Sequence, residues 1–161
     1  PNHQLNRTTS LHTRANVAYF GTFGYELDLN KLTDEEIAEV KAQIIFMKEY
    51  RELIQFGNFY RLKSPFDGNE TVWMTVSEDK RKALVFWYRE RNVVNAEFTR
   101  VRLQGLDPDL IYKNEYNGTE NYGDELMNLG LLTTDVTAGE PTNEDLPCTD
   151  YESRIYVLTA E

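Results

Sequence analysis

The sequence predicts an α+β protein, with a helical first part followed by an antiparallel all-β second part. Three observations carry this. A strong 3.6-residue apolar period with a helix-start signature runs from Thr33 to Phe56. After Pro65 the apolar period changes to two. The segments between those alternating runs are rich in Gly, Asp, Asn and Pro, and none is long enough and periodic enough for a crossover helix.

In chain order, the first element is a short helix in "TTSLHTRANVAYFG". Thr9 or Ser10 is its N-cap, Leu11, Ala15, Ala18 and Tyr19 fall at helical spacing, and Gly21 is its C′ stop. "FGYELDL" reads as a short strand with Phe23, Tyr25, Leu27 and Leu29 on one face and Glu26 and Asp28 on the other. A long helix follows from Asp34 to Phe56. Thr33 and Glu36 form its capping box, and three acids fill its first turn. Ile37, Val40, Ile44, Met47 and Ile54 make its stripe, widened by Ala38, Ile45 and Leu53, and Gly57 closes it. Then come the strand-like runs "TVWMTV", "KALVFWYRER", "FTRVRLQ", "LIYKNEY", "LMNLGLL" and "SRIYVLTA". Their spacing indicates an antiparallel sandwich or barrel.

Composition narrows the function. The chain has 161 residues, 40% of them hydrophobic and 27% charged, as a globular protein does. A formal net charge of −10 argues against nucleic acid and anionic membrane as partners. No apolar run approaches the roughly 20 residues of a membrane helix. No secretory signal is read at the start. One cysteine, Cys148, points to a reducing, cytoplasmic setting. Two histidines and that cysteine, far apart, do not make a zinc site, so neither metal nor cofactor is expected. The chain opens on "PNHQ" without Met and reads as a piece of a longer protein.

Several residues could carry chemistry. Gly21 and Gly24 precede a strand, whereas a phosphate loop leads into a helix, and no P-loop lysine is present. Glu26 and Asp28 are spaced to point the same way, roughly 7 Å apart, within the range of glycosidase carboxylate pairs. A bond must be flanked from two sides, however, so they read first as polar ends of a strand. His3, near the terminus, reads as structural or solvent-facing before it reads as a base, and His12 as a surface residue. Ser10 and Ser64 have no His/Asp grouping near them in sequence. Nothing beside Cys148 would lower its pKa. Trp73, Trp87 and Tyr88 suit a sugar-stacking platform but more commonly form core. Asn6, Asn69 and Asn117 head N-x-Thr patterns, read as chance matches.

The blocks "PNHQLNRTT", "FGYELDL", "ELIQFGNFYRLKSPF", "SEDKRKALV", "RLQGLDPDLIY" and "YGDELMNLGL" resemble, in order and over nearly the whole chain, the C-terminal end of bacterial α-galactosidases of glycoside hydrolase family 36. The resemblance implies residues 1–59 as the end of a (β/α)8 barrel and 60–161 as a C-terminal antiparallel β-sandwich. It implies a parent enzyme that removes terminal α-linked galactose, as in melibiose or raffinose, with retention through two aspartates. The motifs of those aspartates do not occur here, so no catalytic residue is carried over and the chain alone is expected to be inactive. "PNHQ" would follow barrel strand seven and "YELDL" would be strand eight. That makes Asn2, His3, Glu26 and Asp28 candidates for the rim of the substrate site. The parent is expected to be a homo-oligomer, and the fragment to self-associate or to be disordered before about Leu32, because its barrel face lacks a partner. The rival readings are a carbohydrate-binding module and an oligomerisation domain.

Overall fold

A computed structural model describes residues 9–91, 98–133 and 150–161. It divides into two compact units, Pro1–Phe56 and Gly57–Glu161.

In the first unit, α1 spans Leu11–Ala18. Ser10 caps it, accepting from the Thr13 amide at 3.1 Å. The buried side chains at its end are Ala15, Asn16 and Tyr19. Gly21 donates to the Ala18 carbonyl at 3.0 Å and so ends the helix in a turn. It is not among the glycines with positive φ, so the expected left-handed stop is absent. The long helix α2 spans Asp34–Phe56. Its capping box is closed reciprocally: Thr33 N donates to Glu36 Oε2 at 2.9 Å, and Glu36 N to Thr33 Oγ1 at 3.2 Å. Val40, Gln43, Met47, Tyr50 and Leu53 form the buried stripe. Ile45, expected to widen it, is 64% exposed.

"FGYELDL" is not a strand. Residues 22–26 carry no regular structure, and Leu29–Lys31 form a 3-10 turn. A strand exists only through a ladder with a neighbour, and no strand is present among the described residues of this unit. The side-chain alternation survives all the same. Phe23, Tyr25 and Leu27 are half-buried, while Gly24, Glu26 and Asp28 are exposed.

The second unit is built on one six-stranded antiparallel sheet. Its strands are β1 (Asn58–Lys63), β2 (Glu70–Val76), β3 (Lys82–Arg89), β5 (Ile111–Asn114), β6 (Glu120–Tyr122) and β8 (Glu152–Ala160). They lie in the order β1-β2-β3-β8-β5-β6. A two-stranded ribbon pairs β4 (Arg100–Val101) with β7 (Leu131–Leu132). Between β6 and β7 lies a short helix, α3, Gly123–Asn128. One core joins these parts. Val72, Met74, Val76, Ala83, Val85, Trp87, Tyr156 and Leu158 from the sheet cluster with Val101, Leu103, Leu106, Leu126 and Leu131. Leu84 and Phe86, on the opposite face of β3, are also fully buried. This explains why "ALVFW" reads as a continuous apolar run.

Two strands and one helix depart from expectation. β1 and β6 are edge strands at the two ends of the sheet. An edge strand has a partner on one side only, so its apolar pattern is weak. "LMNLGLL" was expected to be a strand but divides into the end of α3 and β7. The division falls at Gly130, which adopts φ 95° and donates to Glu125 O at 3.2 Å, a left-handed helix stop.

Tyr112 locks the loops at one end of this unit. Its ring is 1% exposed. Its hydroxyl accepts from Asp107 N at 2.9 Å and donates to Lys80 O at 2.6 Å. Burial raises its pKa above the usual 10, which keeps it a neutral donor. Lys80 itself sits at φ 59° in the β2–β3 turn. There the Asp79 carboxylate accepts from Ser77 Oγ and Arg81 N, and these bonds hold its pKa below the usual value. Tyr112→Phe removes the shared hydroxyl and leaves a backbone amide and a carbonyl without that partner. The expected loss is about 1–3 kcal/mol in a urea titration. An unchanged midpoint would show that water replaces the hydroxyl without cost.

Candidate functional site

The segment that the sequence singled out is built on aromatic packing. Phe23 stacks on Tyr19 with centroids 4.8 Å apart, and Tyr25 meets Phe23 edge-on at 5.4 Å. Tyr19 also packs on Phe46 of α2 at 4.9 Å. Hydrogen bonds extend this contact. Tyr25 Oη donates to Gln43 Oε1 at 2.5 Å, Gln43 Nε2 to Glu39 Oε1 at 2.8 Å, and Tyr19 Oη to Gln43 O at 3.3 Å. Desolvation raises the pKa of both tyrosines, with the neighbouring Glu39 adding to it. The cluster therefore stays protonated at neutral pH and fixes the extended segment to α2.

Alternation then turns Glu26 and Asp28 outward. Asp28 Oδ1 accepts from both nitrogens of Asn30, N and Nδ2, each at 3.1 Å, and Asp28 Oδ2 lies 3.8 Å from Lys31 Nζ. Asp28 is thus the cap of the following turn. Glu26 is exposed. The two side chains share a side but not a role, and no acid/base pair is assembled from them. Asn2, His3, Asn6 and Cys148 lie outside the described residues.

The other flagged residues have local work. Ser10 is the α1 cap, and Ser64 Oγ accepts from Phe66 N at 3.2 Å. His12 Nε2 and Asn16 Nδ2 are 3.1 Å apart. Asn69 pairs twice with the Arg91 backbone, at 2.7 and 2.9 Å. The aromatic trio is split. Trp87 is fully buried in the core, while Trp73 and Tyr88 meet edge-on at 5.5 Å. Trp87 and Tyr88 are consecutive on β3 and so point to opposite faces, and no three-ring platform forms. Among the described residues no three His, Cys, Asp or Glu side chains converge as a metal site requires.

Two features were not legible beforehand. An open groove of about 370 Å3 is lined by Leu62, Lys63, Ser64, Asp67, Gly68, Asn69 and Glu70. Most of its polar groups already bond one another or the nearby backbone; Lys63 Nζ, for instance, is 2.5 Å from Glu70 Oε2. The second is a charged cluster. Glu152 pairs with both Arg89 and Arg154, and each guanidinium lies 5.3 Å from the Trp87 ring centroid. Arg89 and Glu152 face each other across β3 and β8, 63 residues apart in sequence, which no local pattern could reveal.

Among the described residues neither feature sets a nucleophile beside a base. Comparison with known proteins gives the chain a family. Residues 70–158 match the glycosyl hydrolase family 36 C-terminal domain. The chain belongs to glycosyl hydrolase family 36. Residues 1–57 match the melibiase family, so two family-36 segments follow one another in this chain. Alpha-galactosidase AgaA of Geobacillus stearothermophilus is 50% identical over 131 residues, covering 81% of this chain and 18% of that protein. Alpha-galactosidase 1 of Pediococcus pentosaceus is 43% identical over the same shares. Among solved structures, the family-36 α-galactosidase AgaA superposes on the whole chain with a TM-score of 0.87 at 43% identity, and covers 21% of that structure. The α-galactosidase of Lactobacillus brevis gives 0.89 at 42% identity. The chain therefore spans about a fifth of the family-36 relatives it matches.

Proposed function

We propose that this chain is the C-terminal fifth of an α-galactosidase that hydrolyses terminal α-galactosyl residues of melibiose- or raffinose-type oligosaccharides with retention. Residues 1–59 supply the closing elements of its catalytic barrel, and residues 60–161 its C-terminal β-sandwich. The observation that carries the reading is the order of the two matched segments, melibiase and then the family-36 C-terminal domain. Solved forms of the similar AgaA protein in complex with raffinose and with stachyose support the substrate class. The chain's part is structural, with both catalytic aspartates lying in the portion of the parent that it does not span. Exposed Glu26 remains a rim candidate in that parent, together with Asn2, His3 and Asp28. The same reading makes the parent a homo-oligomer in a reducing compartment, the latter supported by the single Cys148.

The test is a chimera in which residues 1–161 replace the matching end of an AgaA-type enzyme. A folded chimera that hydrolyses raffinose supports the proposal, with the isolated chain releasing no galactose. A folded chimera without α-galactosidase activity, or galactose release by the chain alone, overturns it.

A further inference from the structure

Asn117 stands in the turn between β5 and β6, and it is the one asparagine in the sequence that precedes a glycine. The geometry points to Asn117 as a site of spontaneous covalent modification: its side-chain amide is converted to an acid by attack of the Gly118 backbone nitrogen. Four features of the turn carry this. Asn117 and Gly118 are exposed, so water reaches both. Gly118 adopts φ 73° and, being glycine, carries no side chain of its own to crowd an attack by its nitrogen; a Cβ placed there would meet nothing within 4 Å. Asn117 Oδ1 accepts two hydrogen bonds, from Thr119 N at 3.1 Å and Thr119 Oγ1 at 2.8 Å. These donors polarise the Cγ carbonyl and stabilise the negative oxygen that forms during attack. Asn117 Nδ2, the leaving group, has no hydrogen-bond partner among the described residues.

The step balances with water alone. Gly118 N gives its proton to hydroxide and bonds to Asn117 Cγ. The Cγ–Nδ2 bond breaks and ammonia departs, leaving a five-membered succinimide. Water then opens that ring at either carbonyl, giving aspartate or isoaspartate and one new negative charge. In the intact turn Gly118 N donates to Asn114 O at 2.8 Å, so attack runs through an opened turn, and ring formation abolishes that bond. The neighbouring Asn114 N to Thr119 O bond, 2.8 Å, joins the same turn. Modification therefore loosens the β6 edge of the sheet.

The experiment incubates the intact 161-residue chain in mildly alkaline buffer and locates amide-to-acid conversion by tandem mass spectrometry of tryptic peptides. Asn117 is expected to convert before every other asparagine. Asn117→Gln, whose longer side chain would have to close a six-membered ring, is expected to lose the early product. Thr119→Val, checked by circular dichroism to be folded, is expected to slow conversion roughly fivefold, the rate equivalent of one modest hydrogen bond. Faster conversion at another asparagine overturns the site. A Thr119→Val rate equal to that of the unaltered chain overturns the activation by Thr119.

Discussion

Gly123→Ala is expected to destabilise the second unit by about 3 kcal/mol, at the upper end of the usual cost of overpacking. Helix propensity taken alone would give the opposite sign, since alanine is favoured over glycine in a helix by about 1 kcal/mol. The conflict is resolved by what surrounds the first residue of α3. A Cβ at Gly123 would lie 1.9 Å from Asp107 O, 2.8 Å from Asp107 C and 3.0 Å from Tyr112 Cε2. The nearest of these is a backbone oxygen, and its loop is held in place. Asp107 N is bonded to Tyr112 Oη, Asp109 N donates to Asp107 Oδ1 at 3.1 Å, and Gly123 N itself donates to Leu110 O at 2.9 Å. Either the loop or the helix must move, and both carry core residues. Urea unfolding followed by tryptophan emission reads this unit, because Trp73 and Trp87 both belong to it. Gly24→Ala is the control. Nothing lies within 4 Å of its Cβ position and its φ is not left-handed, so it is expected to be neutral or slightly stabilising. Equal midpoints for Gly123→Ala and the unaltered chain would refute the close approach.

Trp87→Ala is expected to cost about 3–5 kcal/mol, a large share of the 5–15 kcal/mol that keeps a typical domain folded. Trp87 is completely buried and is the largest side chain of its core. Its truncation leaves a cavity on the core face of the sheet, in the cluster completed by Val101, Leu103, Leu106, Leu126 and Leu131. It also removes the ring over which Arg89 and Arg154 lie, leaving two guanidinium groups that share the Glu152 carboxylate without that support. The measurement is again urea unfolding, with Trp73 as the remaining reporter. Trp73→Ala provides the comparison, since Trp73 is only half-buried and its loss opens a smaller void. A larger loss for Trp73→Ala than for Trp87→Ala would contradict the placement of Trp87 at the centre of the core.

The elements with dense local information were legible from sequence. α2 is found from Asp34 to Phe56 because its start is written in Thr33 and Glu36 and its face in a repeating apolar spacing. β2, β3 and β8 are found because buried strands concentrate β-branched and aromatic residues. "FGYELDL" failed as a strand although its alternation was read correctly, because alternation fixes which side chains share a face and not whether a neighbour supplies a ladder. The two carboxylates, read from sequence first as polar ends and not as an acid/base pair, show the same limit. Sequence placed Glu26 and Asp28 on one side, and only the fold showed Asp28 occupied with Asn30 and Lys31.

The sequence by itself therefore determined the helical-then-β order, the capped α2, the central strands and, through its ordered blocks, the family. Tertiary structure decided the strand order β1-β2-β3-β8-β5-β6, the burial of both faces of β3, the division of "LMNLGLL" at Gly130, and the Glu152–Arg89–Arg154 cluster over Trp87. The physical reason is range. Caps, periods and turns are set by neighbours within a few residues, whereas strand order, close approach at Gly123 and charge pairing join residues that the chain brings together only when the core closes.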